Sequence, residues 1–201
     1  MKKITFFIAL LTVSLGFSQN LVTNGDFETV YAGEWTGNGT GQTRVDDGTG
    51  NFVNQAILSA ANEVWQTTLQ QLIPLTNGTS YDMSFDAYVV GNPTKDIIAG
   101  IGQNSGSFEN NQITASLTNT SQNFSTTFVV DWDDSCCGTR VFFDLDGAGD
   151  TGWEIYIDNV SVTESTLGVE DYQLIDIRTY PNPTRDSRTV KTKKEIMSSI
   201  Q

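Results

Sequence analysis

Alternation between apolar and polar residues constrains the fold of this chain more than any other feature of its sequence. It is clearest over residues 80–90, where the odd positions from Tyr81 to Val89 are apolar and the even positions from Asp82 to Tyr88 carry hydroxyl or carboxyl groups. Successive side chains of a β-strand point to opposite faces of the sheet, so this pattern predicts a strand with one buried face. Similar alternation occurs over residues 123–131, 139–146 and 153–157.

Short turn-forming sequences separate these segments. Asn-Gly pairs occur at 24–25 and 77–78, and Gly-Asn-Gly occurs at 37–39. Asparagine and glycine tolerate the left-handed backbone that tight turns require. Within residues 21–164 no stretch longer than about ten residues has helical periodicity. Many short strands joined by such turns predict an all-β fold, a β-sandwich jelly roll.

A change of phase near residue 158 predicts a β-bulge. Ile155 and Ile157 share one phase, whereas Val160 and Val162 have the opposite phase. One extra residue in a strand moves every later side chain to the other face of the sheet. We therefore expect the bulge around Asp158 and Asn159.

The first 18 residues have the composition of a removable signal peptide. Lys2 and Lys3 precede an apolar run over residues 4–15, and small residues lead to Ser18. The apolar run is too short to span a bilayer permanently. We therefore expect an exported protein, secreted or at the cell surface, with no membrane insertion.

The charge is distributed unevenly along the chain. The formal net charge is -13, and residues 19–164 contain only Arg44, Lys95 and Arg140 as basic residues against 19 acidic ones. Such a body repels phosphate backbones, which excludes nucleic-acid binding. The chain has no histidine, which excludes imidazole-dependent triads and the usual zinc sites. Basic residues return in the tail, so we place a domain boundary near Ser165.

Three ordered motifs resemble those of a known family. They are Asn-Leu-Val-Thr-Asn-Gly-Asp-Phe-Glu at 20–28 with Trp35 after it, the segment 65–87 beginning Trp-Gln-Thr-Thr-Leu, and Ile-Asp-Asn-Val-Ser-Val at 157–162. Together they resemble the carbohydrate-binding modules of the cellulase-C type, the superfamily of families 4, 9 and 22. The resemblance covers residues 20–164. It implies a jelly roll whose concave face binds a polysaccharide, namely β-1,3-glucan, mixed-linkage glucan, xylan or amorphous cellulose in known relatives.

The tail carries a second resemblance. Residues 179–186, Thr-Tyr-Pro-Asn-Pro-Thr-Arg-Asp, resemble the start of the C-terminal sorting domain of type IX secretion in Bacteroidetes. This implies a linker over 165–178 and the type IX secretion machinery as a partner. Because such a domain is longer than residues 179–201, we expect it to be truncated here or the sequence to be a fragment.

Aromatic side chains on polar faces are the candidates for sugar contact, because pyranose C–H groups pack on flat rings. Tyr88 shares the polar face of its strand, although it could instead lie at the end of the sheet with its hydroxyl in solvent. Trp65 matches a cleft tryptophan of some relatives, although strict alternation places it in phase with Leu69 and hence inward. Gln66, next to it, offers an amide to sugar hydroxyls.

Further sugar-binding candidates lie in two polar loops. Phe108 lies in a loop rich in glycine and asparagine, where it either contacts sugar or caps the end of the sandwich. Gln103 and Asn104 in the same region supply amides for hydroxyl groups. Trp132 lies among acidic residues, where a rim contact with sugar and simple loop packing are both open.

A structural calcium ion is implied by the family resemblance. The implied ligands are the carboxylates of Glu28 and Asp158 with backbone carbonyl groups near Gly25. Calcium requires six or more oxygen ligands. The alternative is that both carboxylates are ordinary turn residues. A second acidic stretch, residues 144–150, lacks EF-hand spacing, and Asx turns explain it.

Cys136 and Cys137 are adjacent. In an exported protein we expect either a vicinal disulfide or intermolecular pairing, and not two free thiols.

The sequence favours a non-catalytic module over an enzyme. Glycosidases need two carboxylates flanking the scissile bond, and the Glu-x-Asp-x-x-Glu strand of retaining laminarinases is missing here. A secreted glycoside hydrolase acting on β-glucan is the first alternative, and a surface adhesion module is the second. The acidic body disfavours anionic glycans, so we expect a monomer that binds a neutral polysaccharide.

Overall fold

The computed structural model describes residues 19–59, 63–147 and 149–165. These residues contain ten antiparallel strands and one short 3₁₀ helix, Val64–Gln66, joined by turns and loops. The predicted signal peptide and the tail after Ser165 lie outside the described residues. The strands are β1 (Trp35–Thr36), β2 (Thr43–Asp46), β3 (Phe52–Ile57), β4 (Thr68–Leu72), β5 (Ser80–Val90), β6 (Thr94–Gln103), β7 (Asn110–Thr118), β8 (Gln122–Val129), β9 (Thr139–Asp144) and β10 (Glu154–Glu164).

The strands form two five-stranded sheets. We call the sheet with the order β1-β4-β9-β6-β7 the front sheet and the one with the order β2-β3-β10-β5-β8 the back sheet. Every strand pair is antiparallel. The predicted all-β sandwich is confirmed. None of the described residues forms a helix with the length and apolar character needed to cross a bilayer.

The core lies between the inward faces of the two sheets. On β5 the odd positions from Tyr81 to Val89 are all buried, as the alternation predicted. On β9, Val141 and Phe143 are inaccessible to solvent. Trp35 is 2% exposed and its indole N–H donates to the carbonyl oxygen of Asn24, so its ring belongs to the core.

The predicted bulge is also present. The pairing of β10 with β5 shifts between Asp158 and Ser161, and Asn159 has a positive φ of 51°. The shift lets Ile157 and Val160 both face the core although they differ in phase.

Candidate functional site

A cleft of about 510 Å³ lies on the outer face of the front sheet. Two half-exposed aromatic rings, Trp65 and Phe108, lie among polar side chains and the buried ring of Phe142. Sugar-binding sites combine such rings with a few amide, hydroxyl or charged groups. The lining residues are Asn38, Trp65, Thr68, Phe108, Asn110, Gln112, Arg140, Phe142 and Asp144.

The register of three adjacent strands builds the floor. Gly100 of β6 pairs with Phe142 of β9 on one side and with Gln112 of β7 on the other. Gly102 lies one pleat further along. A β-carbon added to Gly100 would lie 2.3 Å from the carbonyl oxygen of Asn111, so the close approach of β7 requires glycine there. The centre of the floor therefore carries no side chain.

Trp65 belongs to the 3₁₀ helix before β4 and not to a strand. Its side chain is 54% exposed and lines the cleft. The side-chain amide of Asn38 donates to the Trp65 carbonyl oxygen over 3.1 Å, which ties the helix to a neighbouring loop. The strict-alternation argument that would bury Trp65 fails because strand geometry begins only at Thr68.

Gln66 caps this helix. Its side-chain oxygen accepts a hydrogen bond from the backbone N–H of Glu63 over 3.1 Å, completing a capping box. Gln66 is exposed but does not line the cleft. The geometry therefore gives it a role in holding Trp65 rather than in contacting a ligand.

Phe108 lies in the loop between β6 and β7. It has a left-handed backbone with φ of 55°, its carbonyl oxygen accepts a hydrogen bond from the Asn110 amide over 2.8 Å, and its ring is 51% exposed. The guanidinium of Arg140 lies 5.8 Å from the ring centroid. Phe108 lines the cleft, and its contact with sugar stays a prediction.

Three side chains of β9 face the cleft. They are Arg140, Phe142 and Asp144, which alternate with the core residues of the strand. The Arg140 guanidinium lies 4.9 Å from the Phe142 ring centroid and donates to the side-chain oxygen of Gln70. Burial lowers the pKa of Arg140 and raises the pKa of Asp144, while each ion partly offsets the shift of the other.

Two predicted sugar contacts lie in the interior and are corrected. Gln103 is 2% exposed, and its side-chain amide bridges the Asp133 carbonyl oxygen and the Glu109 backbone N–H. Trp132 is 5% exposed, packs in the core and donates its indole N–H to Asn111 over 2.8 Å. Their hydrogen bonds are satisfied within the chain, so neither side chain is available to a sugar.

Tyr88 belongs to the back sheet and not to the sheet that carries the cleft. It pairs with Tyr156 across β5 and β10, and the two rings are stacked with centroids 4.6 Å apart. The Tyr156 hydroxyl donates to Glu154 and accepts from Gln55. Tyr88 cannot contribute to a cleft on the front sheet.

Asn104 and the two cysteines support one end of the cleft without lining it. Cys136 and Cys137 form a vicinal disulfide. The backbone N–H of Asn104 donates to the Gly138 carbonyl oxygen, and the Ser105 hydroxyl donates to the Cys137 carbonyl oxygen. The disulfide loop thus holds the loop that carries Phe108.

The predicted calcium ligands already accept hydrogen bonds from the chain. Glu28 accepts from the backbone N–H of Phe52, Asp158 accepts from the Asn51 amide, and the Gly25 carbonyl oxygen accepts from the Val160 N–H. Among the described residues no three acidic side chains converge as a metal cluster. Burial raises the pKa of Asp158, hydrogen bonds from Asn51 and Asn159 oppose this shift, and repulsion from the carboxylates of Asp86 and Glu28 adds to it. Calcium at this position stays a prediction.

A chain cation lies beside these groups. The Arg44 guanidinium donates to the carbonyl oxygens of Phe27 and Glu28 and covers the Phe52 ring at 3.3 Å. A basic side chain also contacts the acidic stretch 144–150. The Lys95 ammonium group donates to the Asp146 carbonyl oxygen and forms a salt bridge with Asp150 over 2.5 Å.

Comparison with known proteins gives a consistent result. The family model described as a carbohydrate binding domain matches residues 19–146. A structure titled "CBM4 structure and function" is 24% identical, with a TM-score of 0.56 over 72% of this chain and 99% of that one. No curated protein matches the chain.

Two further structures share the fold at lower identity. The N-terminal cellulose-binding domain of Cellulomonas fimi β-1,4-glucanase C is 17% identical, with a TM-score of 0.54 over 74% of this chain and 99% of that one. The CBM22-1 xylan-binding domain of Paenibacillus barcinonensis Xyn10C is 11% identical, with a TM-score of 0.55 over 73% of this chain and 95% of that one. At these identities the likeness shows the fold alone.

Proposed function

The chain belongs to the family of carbohydrate binding domains, and we propose that it is a non-catalytic module that binds a neutral polysaccharide in the front-sheet cleft. The observation that carries this proposal is the pair of half-exposed rings, Trp65 and Phe108, that line this cleft. Aromatic faces pack against the C–H groups of a pyranose. The amides of Asn38, Asn110 and Gln112 can both donate to and accept from hydroxyl groups.

The charge of the cleft supports a neutral ligand. Arg140 is the only basic and Asp144 the only acidic residue among the described residues that line it. Their charges balance, and the surrounding body carries far more acidic than basic residues. An anionic polysaccharide would meet no surplus of positive charge.

The same inventory argues against catalysis at this site. Both retaining and inverting glycosidases use two carboxyl groups on opposite sides of the scissile bond. Asp144 has no second carboxylate beside it among the described cleft residues. The cleft is therefore suited to holding a glycan chain without cleaving it.

The glycan itself is proposed from the family resemblance: β-1,3-glucan, mixed-linkage glucan or xylan. Affinity electrophoresis through gels containing laminarin, lichenan, xylan or hydroxyethylcellulose tests this directly. We expect retardation by at least one of them and no release of reducing ends. Free migration of the folded protein through all four gels would contradict the proposed function, and release of reducing ends would favour the glycosidase.

The setting of the module is part of the proposal. The pattern of residues 1–18 supports export, and the resemblance of residues 179–186 supports delivery by the type IX machinery. Repulsion of Asp158 by the carboxylates of Asp86 and Glu28 supports a structural calcium ion that Asp158, Glu28 and the Gly25 carbonyl oxygen would hold.

A further inference from the structure

Two charged side chains of the cleft carry polar atoms without partners. Arg140 Nε and Asp144 Oδ1 are shielded from water and make no hydrogen bond within the described part of the chain. Both side chains line the cleft. Among the other described residues, only the Ser165 hydroxyl is a buried side-chain polar atom without a hydrogen-bond partner.

The two ions do not satisfy each other. They are four residues apart on the same face of β9, which places their Cα atoms roughly 13 Å apart at strand spacing. Phe142 lies between them, and within the described residues the ion pair at contact distance is Lys95 with Asp150. Arg140 has a hydrogen bond to Gln70 and a contact with the Phe142 ring, so the compensation that a buried charge normally receives is incomplete only at Arg140 Nε and Asp144 Oδ1.

We propose that Arg140 and Asp144 are the specificity-determining residues of the cleft, each binding hydroxyl or ether oxygens of a different sugar unit. This inference rests on the proposed function. An ionised carboxylate only accepts hydrogen bonds, so Asp144 requires a free O–H group. A guanidinium only donates, so Arg140 accepts any hydroxyl or ether oxygen as its partner. The fold already removes part of the water around these two ions. Less hydration free energy is therefore lost when a sugar displaces the remaining water.

The separation of the two ions defines the class of ligand. The Cα atoms of Arg140 and Asp144 are roughly 13 Å apart at strand spacing, further than one pyranose ring extends, so the proposed ligand contains at least two linked sugar units. A uronate would satisfy Arg140 but would be repelled near Asp144. O-methylation at the Asp144 position removes the only group that this carboxylate can bind. The ligand is therefore a neutral oligosaccharide segment with unsubstituted hydroxyl groups at the Asp144 end.

Calorimetry on the full chain tests this assignment. Cellohexaose, xylohexaose and laminarihexaose are titrated first, and the hexaose that binds the wild type is then compared with its O-methylated form. The wild type should bind the methylated form at least tenfold more weakly, since a hydrogen bond to a charged group is at stake. Asp144→Ala should weaken binding of the native hexaose about tenfold and discriminate less between the two forms.

Further variants separate recognition from folding. Asp144→Asn and Arg140→Met should each weaken binding of the native hexaose while the melting transition stays cooperative. Asp96→Asn removes an exposed carboxylate of the same sheet outside the cleft, and its affinity should match the wild type. This inference is overturned if Asp144→Asn and Arg140→Met keep wild-type affinity. It is also overturned if Asp144→Ala discriminates between the native and methylated hexaose as strongly as the wild type does. In both cases the proposed function stands. If the wild type binds none of the three hexaoses, the proposed function itself is overturned.

Discussion

Trp65 and Tyr88 lie on opposite sheets of the sandwich. Trp65 precedes β4 of the front sheet and is 54% exposed, whereas Tyr88 belongs to β5 of the back sheet and stacks on Tyr156. A glycan held in the front cleft therefore contacts one of these residues and not the other.

The first prediction uses this separation. Trp65→Ala and Phe108→Ala should each weaken glycan affinity by about tenfold or more, because a stacked aromatic ring contributes about 1.5 kcal/mol to binding. Their melting temperatures should stay near the wild-type value, since both rings are half exposed. Tyr88→Ala is the matched control and should keep wild-type affinity in calorimetry. Loss of affinity in Tyr88→Ala alone would place the site on the back sheet.

Much of the sandwich could be predicted because its core strands alternate cleanly. The alternation of apolar and polar residues identifies the buried faces of β5, β9 and β10, and its change of phase identifies the bulge in β10. The buried face of β6 is not identified in this way, because Ile97, Ile98 and Gly100 break the alternation. This strand lies between β9 and β7 in the front sheet, and its outer face forms the floor of the cleft.

The cleft was harder to predict than the fold. Trp65 is a candidate because it resembles a cleft tryptophan of relatives, and Phe108 because it is an aromatic residue in a polar loop, whereas Arg140, Phe142 and Asp144 are not among the residues singled out from the sequence. Their signal was present, since they occupy the alternate phase to Val141 and Phe143. The sequence does not reveal the burial of Gln103 and Trp132, because this burial depends on contacts with distant segments, here Asp133 and Asn111.

The second prediction concerns the vicinal disulfide. Cys137 has a positive φ of 75°, and a β-carbon added to Gly106 would lie 2.7 Å from its sulfur. Reduction removes the covalent restraint on this loop and loosens its hydrogen bonds to Asn104 and Ser105. We expect reduction to weaken glycan affinity several-fold, measured by calorimetry with and without a phosphine reductant.

A double variant, Cys136→Ser with Cys137→Ser, is the control for this experiment. Its affinity should resemble that of the reduced protein and should not respond to the reductant. Intact mass must show the gain of two hydrogens in the reduced wild type. Unchanged affinity after that gain would show that the disulfide does not support the cleft.

The third prediction is a pH dependence of stability. Burial raises the pKa of Asp144, with Arg140 partly opposing the shift, so the folded protein binds this proton more tightly than the unfolded chain does. The free energy of unfolding should therefore fall as pH rises from about 4, the unfolded value, through the raised pKa. Asp144→Asn should melt higher than the wild type at pH 7, with the difference disappearing at pH 3. An equal difference in melting temperature at both pH values would contradict this account.

The fourth prediction tests calcium. A divalent cation would relieve the repulsion among Asp158, Asp86 and Glu28, so chelation should lower the melting temperature of the wild type by several degrees. Added calcium should restore it, whereas Asp158→Asn should respond to neither treatment. A wild-type melting temperature that is unchanged by chelation would mean that Arg44 alone supplies the positive charge at this end of the sandwich.

The most direct test of the front cleft is chemical-shift mapping of the ¹⁵N-labelled protein titrated with cellohexaose, xylohexaose and laminarihexaose. With the hexaose that binds, the largest changes should fall on the Trp65 indole N–H and on the backbone N–H groups of Gly100 and Gly102. The signals of Tyr88 and Tyr156 should remain in place. Changes concentrated on these back-sheet tyrosines, or no changes with any of the three hexaoses, would contradict the account.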